Sequence, residues 1–192
     1  MLLLSLFIPF AIAIPIVPLA VLANQQIQAN RHFTSYDLQR AGIEQIYADK
    51  YVYWLNYYAD EYGITTPLRK AHFLAQLAYE SGAFKWPREL SSGSQYEWRR
   101  DLGNVHAGDG MRFKGRGLIA YTGRWNYRAL SRQLGVDLIA NPSILEQPKY
   151  AVLSAYIFWR NKNLNRLADA DDILTITKRI NGGLNGLRER RI

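Results

Sequence analysis

The chain opens on an unbroken apolar run. Residues 1–23 (MLLLSLFIPFAIAIPIVPLAVLA) carry no charge, and Ser5 is their single polar residue. At ~1.5 Å per residue a helix of this length would cross a ~30 Å hydrocarbon layer. Its details are less ordinary. Pro9, Pro15 and Pro18 each remove a helix donor, and four alanines dilute the hydrophobicity. No Lys or Arg precedes the run, so the usual positive n-region is missing, while Val21-Leu22-Ala23 ends in the small residues of a cleavage site. Three outcomes stay open: a cleaved signal peptide, a permanent anchor, or a weak anchor that later leaves the bilayer. Positive-inside counting favours a cytoplasmic domain, but large folded domains translocate largely regardless of charge.

Asn24 to Arg31 is polar, and residues 24–33 read as a linker to a domain over 34–192. A helix is predicted from Thr34-Ser35 with apolar positions at Leu38, Ile43 and Ile46. A second covers 50–62 and ends at Gly63. A third starts at Pro67, carries Leu68, Ala71, Leu74, Ala75 and Ala78 at helical spacing, and stops at Ser81-Gly82. Residues 83–124 are glycine-rich, charged and aperiodic. A stretch this long without regular structure is usually functional. Helices resume over 125–134, from Pro148 to about Trp159, and from an Asp171-Asp172 cap to Asn181-Gly182-Gly183. The fold class expected is mainly α: a helical domain with a glycine-rich irregular middle and room for a short hairpin.

The chain has 192 residues, 48% of them hydrophobic and 21% charged, a globular composition. Thirteen Tyr, five Trp and seven Phe suit either a tyrosine-rich core or a groove that stacks on flat rings. The formal net charge is +8, all of it beyond residue 23, so the domain attracts polyanions: nucleic acid, anionic lipid or anionic cell wall. No zinc-finger spacing, RNP-like motif or basic repeat points to nucleic acid. With no cysteine, disulfides and Cys-based metal sites are excluded. His32, His72 and His106 are scattered, which suits surface or packing roles.

Hydrolysis of a glycosidic bond needs two carboxyls flanking it, one to protonate the leaving oxygen and one to activate water or attack carbon. Glu80, Glu89, Glu97, Asp101 and Asp109 all lie in or beside the glycine-rich middle. A lone glutamate at a helix end is more often a solvated surface group. Glu80, in the last turn of its helix, would face the unfavourable end of the dipole, with Phe84 and Trp86 near enough to bury it in part. Both effects would make it a better general acid.

Four segments carry a family resemblance: His72–Phe84 (HFLAQLAYESGAF); Arg88-Glu89-Leu90; Asp101–Tyr127, with Gly108-Asp109-Gly110, Lys114-Gly115-Arg116-Gly117 and Thr122-Gly123 inside it; and Ile180–Gly186 (INGGLNG). Together they resemble the family 19 chitinases and, more closely, the short lysozyme-like endolysins of bacteriophages that share their fold. The likeness runs from about residue 68 to 191. It implies a lysozyme-like fold, with Glu80 as general acid and Glu89, nine residues on, as base on a water. In such inverting enzymes the two carboxyls stand ~6.5–9.5 Å apart. Thr122 matches a hydroxyl that holds the water, and Asn126 and Asn181 match amides that bind the sugar. Tyr121, Arg116 and Arg190 complete the implied site, with Arg116 in an ion pair near the acids. Glu97 is the rival for the base. Departures are plain: Tyr79 stands where most relatives have His, Ala120 replaces a Gln, Ala83 replaces a Gly, and relatives continue past Ile192 with a further helix.

Three readings of function follow. The first is an endolysin cutting β-1,4 bonds of the cell-wall glycan for host lysis, exported and held at the periplasmic side of the inner membrane by a signal-anchor-release-like segment 1–23. The second is a chitinase acting on chitin oligomers. The third is a non-catalytic, membrane-tethered wall-binding protein. The expected partners are peptidoglycan strands and the inner membrane, with no nucleic acid, no metal, no cofactor and a monomeric state.

Overall fold

The computed structural model describes residues 32–191. The apolar segment 1–23 and residues 24–31 of the expected linker lie outside the described residues. Within them no helix is long and apolar enough to cross a membrane.

Eight α-helices follow one another among the described residues: α1 (Ser35–Arg40), α2 (Gln45–Ala59), α3 (Pro67–Glu80), α4 (Asp109–Arg112), α5 (Arg124–Leu134), α6 (Pro148–Asn161), α7 (Leu164–Asp169) and α8 (Ile173–Asn181). Short 3-10 turns stand at Ser94–Tyr96, Arg100–Leu102, Pro142–Glu146 and Glu189–Arg191. The expected mainly α class is found. The hairpin reduces to isolated bridges, in which Arg116 pairs with Arg88 and with Tyr121. The Arg116–Tyr121 pair closes a turn too tight to extend into strands.

Local chemistry sets several boundaries. Thr34 and Asp37 form a reciprocal capping box at the start of α1. Thr66 caps α3 through the Arg69 N–H, with Pro67 at the first helical position. Asp172 caps α8 through the Thr175 N–H at 3.0 Å. The single helix predicted across Leu38, Ile43 and Ile46 is instead two, because Gly42 turns the chain at φ +81°. The second therefore begins at Gln45 rather than residue 50. The short α7 has no counterpart in the sequence pattern.

The core is aromatic. Tyr156 of α6 donates to the Leu55 carbonyl of α2 at 2.7 Å and packs 4.5 Å from the Phe73 ring of α3. Trp159 meets Phe73 edge-on at 5.2 Å, and its indole N–H donates to Asn165. Tyr51, Tyr58, Tyr62 and Tyr127 are buried as well. Part of the tyrosine surplus is thus core, as a packing role predicts.

α3 buries only part of the apolar face read from its sequence. Its buried side is His72, Phe73, Gln76 and Leu77, with Leu74 at the edge. Ala71, Leu74, Ala75 and Ala78 instead line an open groove of about 530 Å³, together with Phe33 and Ala41. Phe73 and Leu77 gain more from burial than alanines do, so the large side chains take the core.

Candidate active site

α3 delivers Glu80 at its last residue. The chain then reverses abruptly. Gly82, Ala83 and Phe84 all take positive φ (+57°, +56° and +68°). Two of the three are not glycine, so the turn needs outside support. Ser81 supplies it: its hydroxyl donates to the Leu77 carbonyl at 2.7 Å and accepts from the Phe84 N–H at 2.9 Å. Phe84 is fully buried, edge-on to Tyr51 at 5.3 Å. Trp86 stays half-exposed and lies against Gly82, where a Cβ would stand 2.6 Å from its ring.

Glu80 is held from the far end of the chain. Arg190 Nη2 donates to Glu80 Oε1 at 2.5 Å. The same guanidinium donates to the Gln76 side-chain oxygen and to the Asn185 carbonyl, and stacks 4.1 Å over the Tyr79 ring. Arg190 is 2% exposed. Gln76 is tied in turn to Thr177 of α8 at 3.3 Å. Gly186 lets the loop pass the back of Tyr79: its φ is +70°, and a Cβ there would fall 1.9 Å from the phenol ring. Arg190 is thus a buried guanidinium with three acceptors and an aromatic seat.

Glu89 lies beside the Lys114–Arg116 turn. Its N–H donates to the Gly115 carbonyl at 2.9 Å, and the Gly115 N–H donates to Oε2 at 3.0 Å. Oε1 accepts from Ser91 Oγ at 2.5 Å, Gln95 Nε2 at 2.9 Å and the Tyr96 hydroxyl at 3.1 Å. Partial burial works to raise the Glu89 carboxyl. The donors from Ser91, Gly115 and Tyr96 and the Lys114 charge outweigh it, and hold Glu89 below the ordinary glutamate value. It stands as an anion, the state a general base requires.

Glu97 is engaged elsewhere. Its two oxygens accept the Gly108 and Gly110 N–H groups at 2.7 and 2.8 Å, clasping the loop ahead of α4. Asp109, 1% exposed, accepts from the Val105 and His106 N–H groups and pairs with Arg124 at 2.5 Å. Burial pushes its carboxyl up, but Arg124 and the two backbone donors prevail and leave it far below the usual range. Asp101 pairs with Arg99 at the surface.

The remaining expected residues divide. Thr122 and Asn126 are joined, the Asn126 amide donating to the Thr122 carbonyl at 2.7 Å, and Asn126 is exposed. Asn181 uses both ends of its amide to close the loop before Arg190, donating to the Asn185 carbonyl and accepting from the Gly183 N–H. Arg116 does not pair with either acid. It meets Glu146 at 2.8 Å, the Arg112 carbonyl and the Tyr127 hydroxyl, because the Arg116 backbone carries the bridges on either side and its side chain turns to the interior. Tyr121 also turns inward, its hydroxyl 3.4 Å from the Ser154 carbonyl and its ring edge-on to Phe158. Sequence reasoning missed Gln76, Ser91, Gln95 and Tyr96, since no local signal marks a polar side chain as the partner of a carboxylate elsewhere.

Among the described residues no group of three or more His, Asp and Glu gathers as metal ligands. The groove along α3 includes Tyr79 but neither Glu80 nor Glu89.

No family model matches the chain. It is 31% identical over 159 residues to a glycosyl hydrolase family 19 domain-containing protein of Haemophilus influenzae, with 67% of this chain and 78% of that protein covered. An endochitinase of Arabidopsis thaliana is 33% identical over 114 residues, covering 59% of this chain and 39% of its own length. The chain thus spans about two-fifths of that plant relative. Chitinase C from Streptomyces griseus HUT6037 superposes with a TM-score of 0.67 at 20% identity, over 84% of this chain and 88% of that one, which shows a shared fold. The extent and identity of the Haemophilus match place this chain in glycosyl hydrolase family 19, as a glycoside hydrolase.

Proposed function

We propose that this glycoside hydrolase is a peptidoglycan-degrading endolysin, exported and held at the periplasmic side of the inner membrane by residues 1–23. The observation that carries the chemistry is the contrast between two carboxylates. Glu89 is an anion with four donors on its oxygens, suited to take a proton from water. Glu80, held by Arg190 at the end of α3, is the proposed proton donor to the leaving oxygen. Arg190 then stabilises the carboxylate that remains. The two-carboxylate scheme with water between them predicts inversion at the anomeric carbon. Thr122 and Asn126, at the head of α5, are the proposed water- and sugar-holding pair. The net charge of +8 favours an anionic wall over neutral chitin, and the apolar run supplies the membrane station.

A chitinase is the second reading, favoured by the names of the plant and Streptomyces relatives. Mass spectrometry of the fragments released from sacculi and from chitin oligomers, run side by side with Glu80→Gln, separates the readings. The endolysin reading expects reducing ends from sacculi, lost in the variant. Turnover of chitin alone would leave the chitinase. Binding to sacculi with no fragments from either polymer would leave a wall-binding protein.

A further inference from the structure

Glu89 takes its place from the backbone it lies against. The Glu89 N–H donates to the Gly115 carbonyl at 2.9 Å, the Gly117 N–H donates to the Pro87 carbonyl at 2.9 Å, and Arg88 pairs with Arg116 between them. Gly115 also sends its own N–H to Glu89 Oε2 at 3.0 Å. Whatever fixes residues 114–116 therefore fixes the carboxylate.

That turn is held from behind by Glu146. This residue ends the 3-10 turn Pro142–Glu146 and reaches both arginines of the bridge. Its Oε1 accepts from Arg116 Nε at 2.8 Å, and its Oε2 stands 3.8 Å from Arg88 Nη1. Arg88 immediately precedes Glu89, and Arg116 immediately follows Gly115. One carboxylate thus grips both sides of the backbone on which Glu89 sits. The Arg116 guanidinium, 9% exposed, passes the hold onward. Its Nη1 donates to the Arg112 carbonyl at 2.8 Å and to the Tyr127 hydroxyl at 3.0 Å. Tyr127 donates in turn to the Lys114 carbonyl at 2.6 Å. The chain of contacts from Glu146 ends on the peptide that carries the Gly115 N–H.

Burial makes this chain stiff. It pushes the Tyr127 hydroxyl up to about 12 against the pull of the Arg116 charge, so Tyr127 keeps the proton it donates. It also opposes the Arg116 charge, but Tyr127 and Glu146 outweigh it and raise the Arg116 pKa. Hydrogen bonds in such a low-dielectric chain reinforce one another, and a buried guanidinium that loses its counter-ion is strongly disfavoured. The far end is anchored as well. Leu145 is fully buried, and Arg112 Nη2 donates to the Ile139 and Ala140 carbonyls at 2.8 Å.

We propose that Glu146 is a positioning residue for Glu89, acting through Arg116, Tyr127 and the Lys114–Gly115 peptide to keep the Gly115 N–H on the carboxylate. This rests on the reading of Glu89 as the base. The groups on the carboxylate itself are Ser91, Gln95, Tyr96, Gly115 and the Lys114 charge, so Glu146 reaches Glu89 by way of the turn.

The full chain and its Glu146→Gln, Tyr127→Phe and Glu89→Gln variants are assayed across pH on solubilised sacculus glycan and on chitin oligomers, with urea titration alongside. The first two substitutions keep side-chain shape, and unchanged circular dichroism confirms folding. On the polymer that the unsubstituted chain cuts, Glu146→Gln should lower kcat about 10- to 100-fold with little change in KM, the cost of misplacing a reacting group by up to ~1 Å. The acid limb of kcat/KM should move upward, because a weakened Gly115 donor lets the Glu89 carboxyl rise toward its ordinary value. Tyr127→Phe cuts the chain of contacts at its middle and should move kcat and the limb in the same directions. If Glu146→Gln loses its circular dichroism, Tyr127→Phe decides by the same limb. A lower urea midpoint with kcat and the limb unchanged would make these contacts structural alone and overturn the proposal, while loss of turnover in Glu89→Gln leaves the base reading standing. Turnover that survives in Glu89→Gln would remove the base reading and the proposal with it.

Discussion

Arg190 Nη2 donates to Glu80 Oε1 at 2.5 Å although 110 positions separate the two residues. The contact joins the last residue of α3 to the 3-10 turn after α8, with Gln76 and Tyr79, on the same helix, holding the guanidinium from two other sides. Arg190→Ala should lower kcat about 10²-fold with little change in KM, the effect expected when a reacting group loses its alignment. Arg190→Lys keeps a charge but not the planar fork, so it should recover only part of the loss. Steady-state kinetics on a soluble glycan fragment checks both. Equal activity in Arg190→Ala would show that Glu80 is aligned without it.

Glu89 leads to a pH expectation. Its carboxyl is held below the ordinary value, so the proposed base stays ionised as pH falls through the usual glutamate range, near ~4.3. The acid limb of kcat/KM should lie below that range. The stability Glu89 contributes has the same sign. It is present above the unfolded value and lost as pH drops through the lowered folded one. Removing a donor with Tyr96→Phe should move the acid limb upward. A limb that stays in place in this variant would mean that another group sets it.

Glu97 and Glu89 can be told apart by what each loss harms. Glu97→Gln removes an acceptor from the Gly108 and Gly110 N–H groups, which should cost about 1–3 kcal/mol of stability while kcat is largely kept. Glu89→Gln should abolish turnover and, because the anion contributes stability at neutral pH, should also lower the denaturation midpoint. Urea titration and kinetics on both variants decide between them. The reverse pattern would make Glu97 the base.

Tyr51 has a buried hydroxyl with no hydrogen-bond partner among the described residues, and burial pushes its pKa up to about 12. Its ring packs edge-on to Phe84, the residue that pins the turn after Glu80. Tyr51→Phe keeps the ring and removes the orphaned group, so it should stabilise the fold by about 1 kcal/mol without loss of activity. A lower denaturation midpoint would reveal a partner for the hydroxyl.

Sequence legibility follows the range of the interactions. α3 could be read from start to stop because Thr66, Pro67 and Ser81-Gly82 are local signals. The break between α1 and α2 could not, since the apolar period runs on through Gly42. α7 follows Asn163, at φ +51°, with no side-chain cap to announce it. Glu80 was marked by its place at a helix end. Glu89 was marked only by resemblance, because its donors come from positions 91, 95, 96 and 115. The inward turn of Arg116 depends on Glu146, thirty positions away, which no short window contains. The apolar stripe on α3 showed a helix but not which side faces the core, because alanine is nearly indifferent to exposure while Phe73 is not.

The Arg190 clamp also has a kinetic consequence. Loops that close over more than a hundred residues carry a large entropic penalty and form only after shorter-range contacts have narrowed the search. The helices around Tyr156 and Phe73 can collapse early, whereas Glu80 meets its guanidinium only once α6, α7 and α8 are docked in order. During refolding the far-ultraviolet helical signal should therefore return ahead of turnover. A half-assembled chain would have its first carboxylate in place and still be idle.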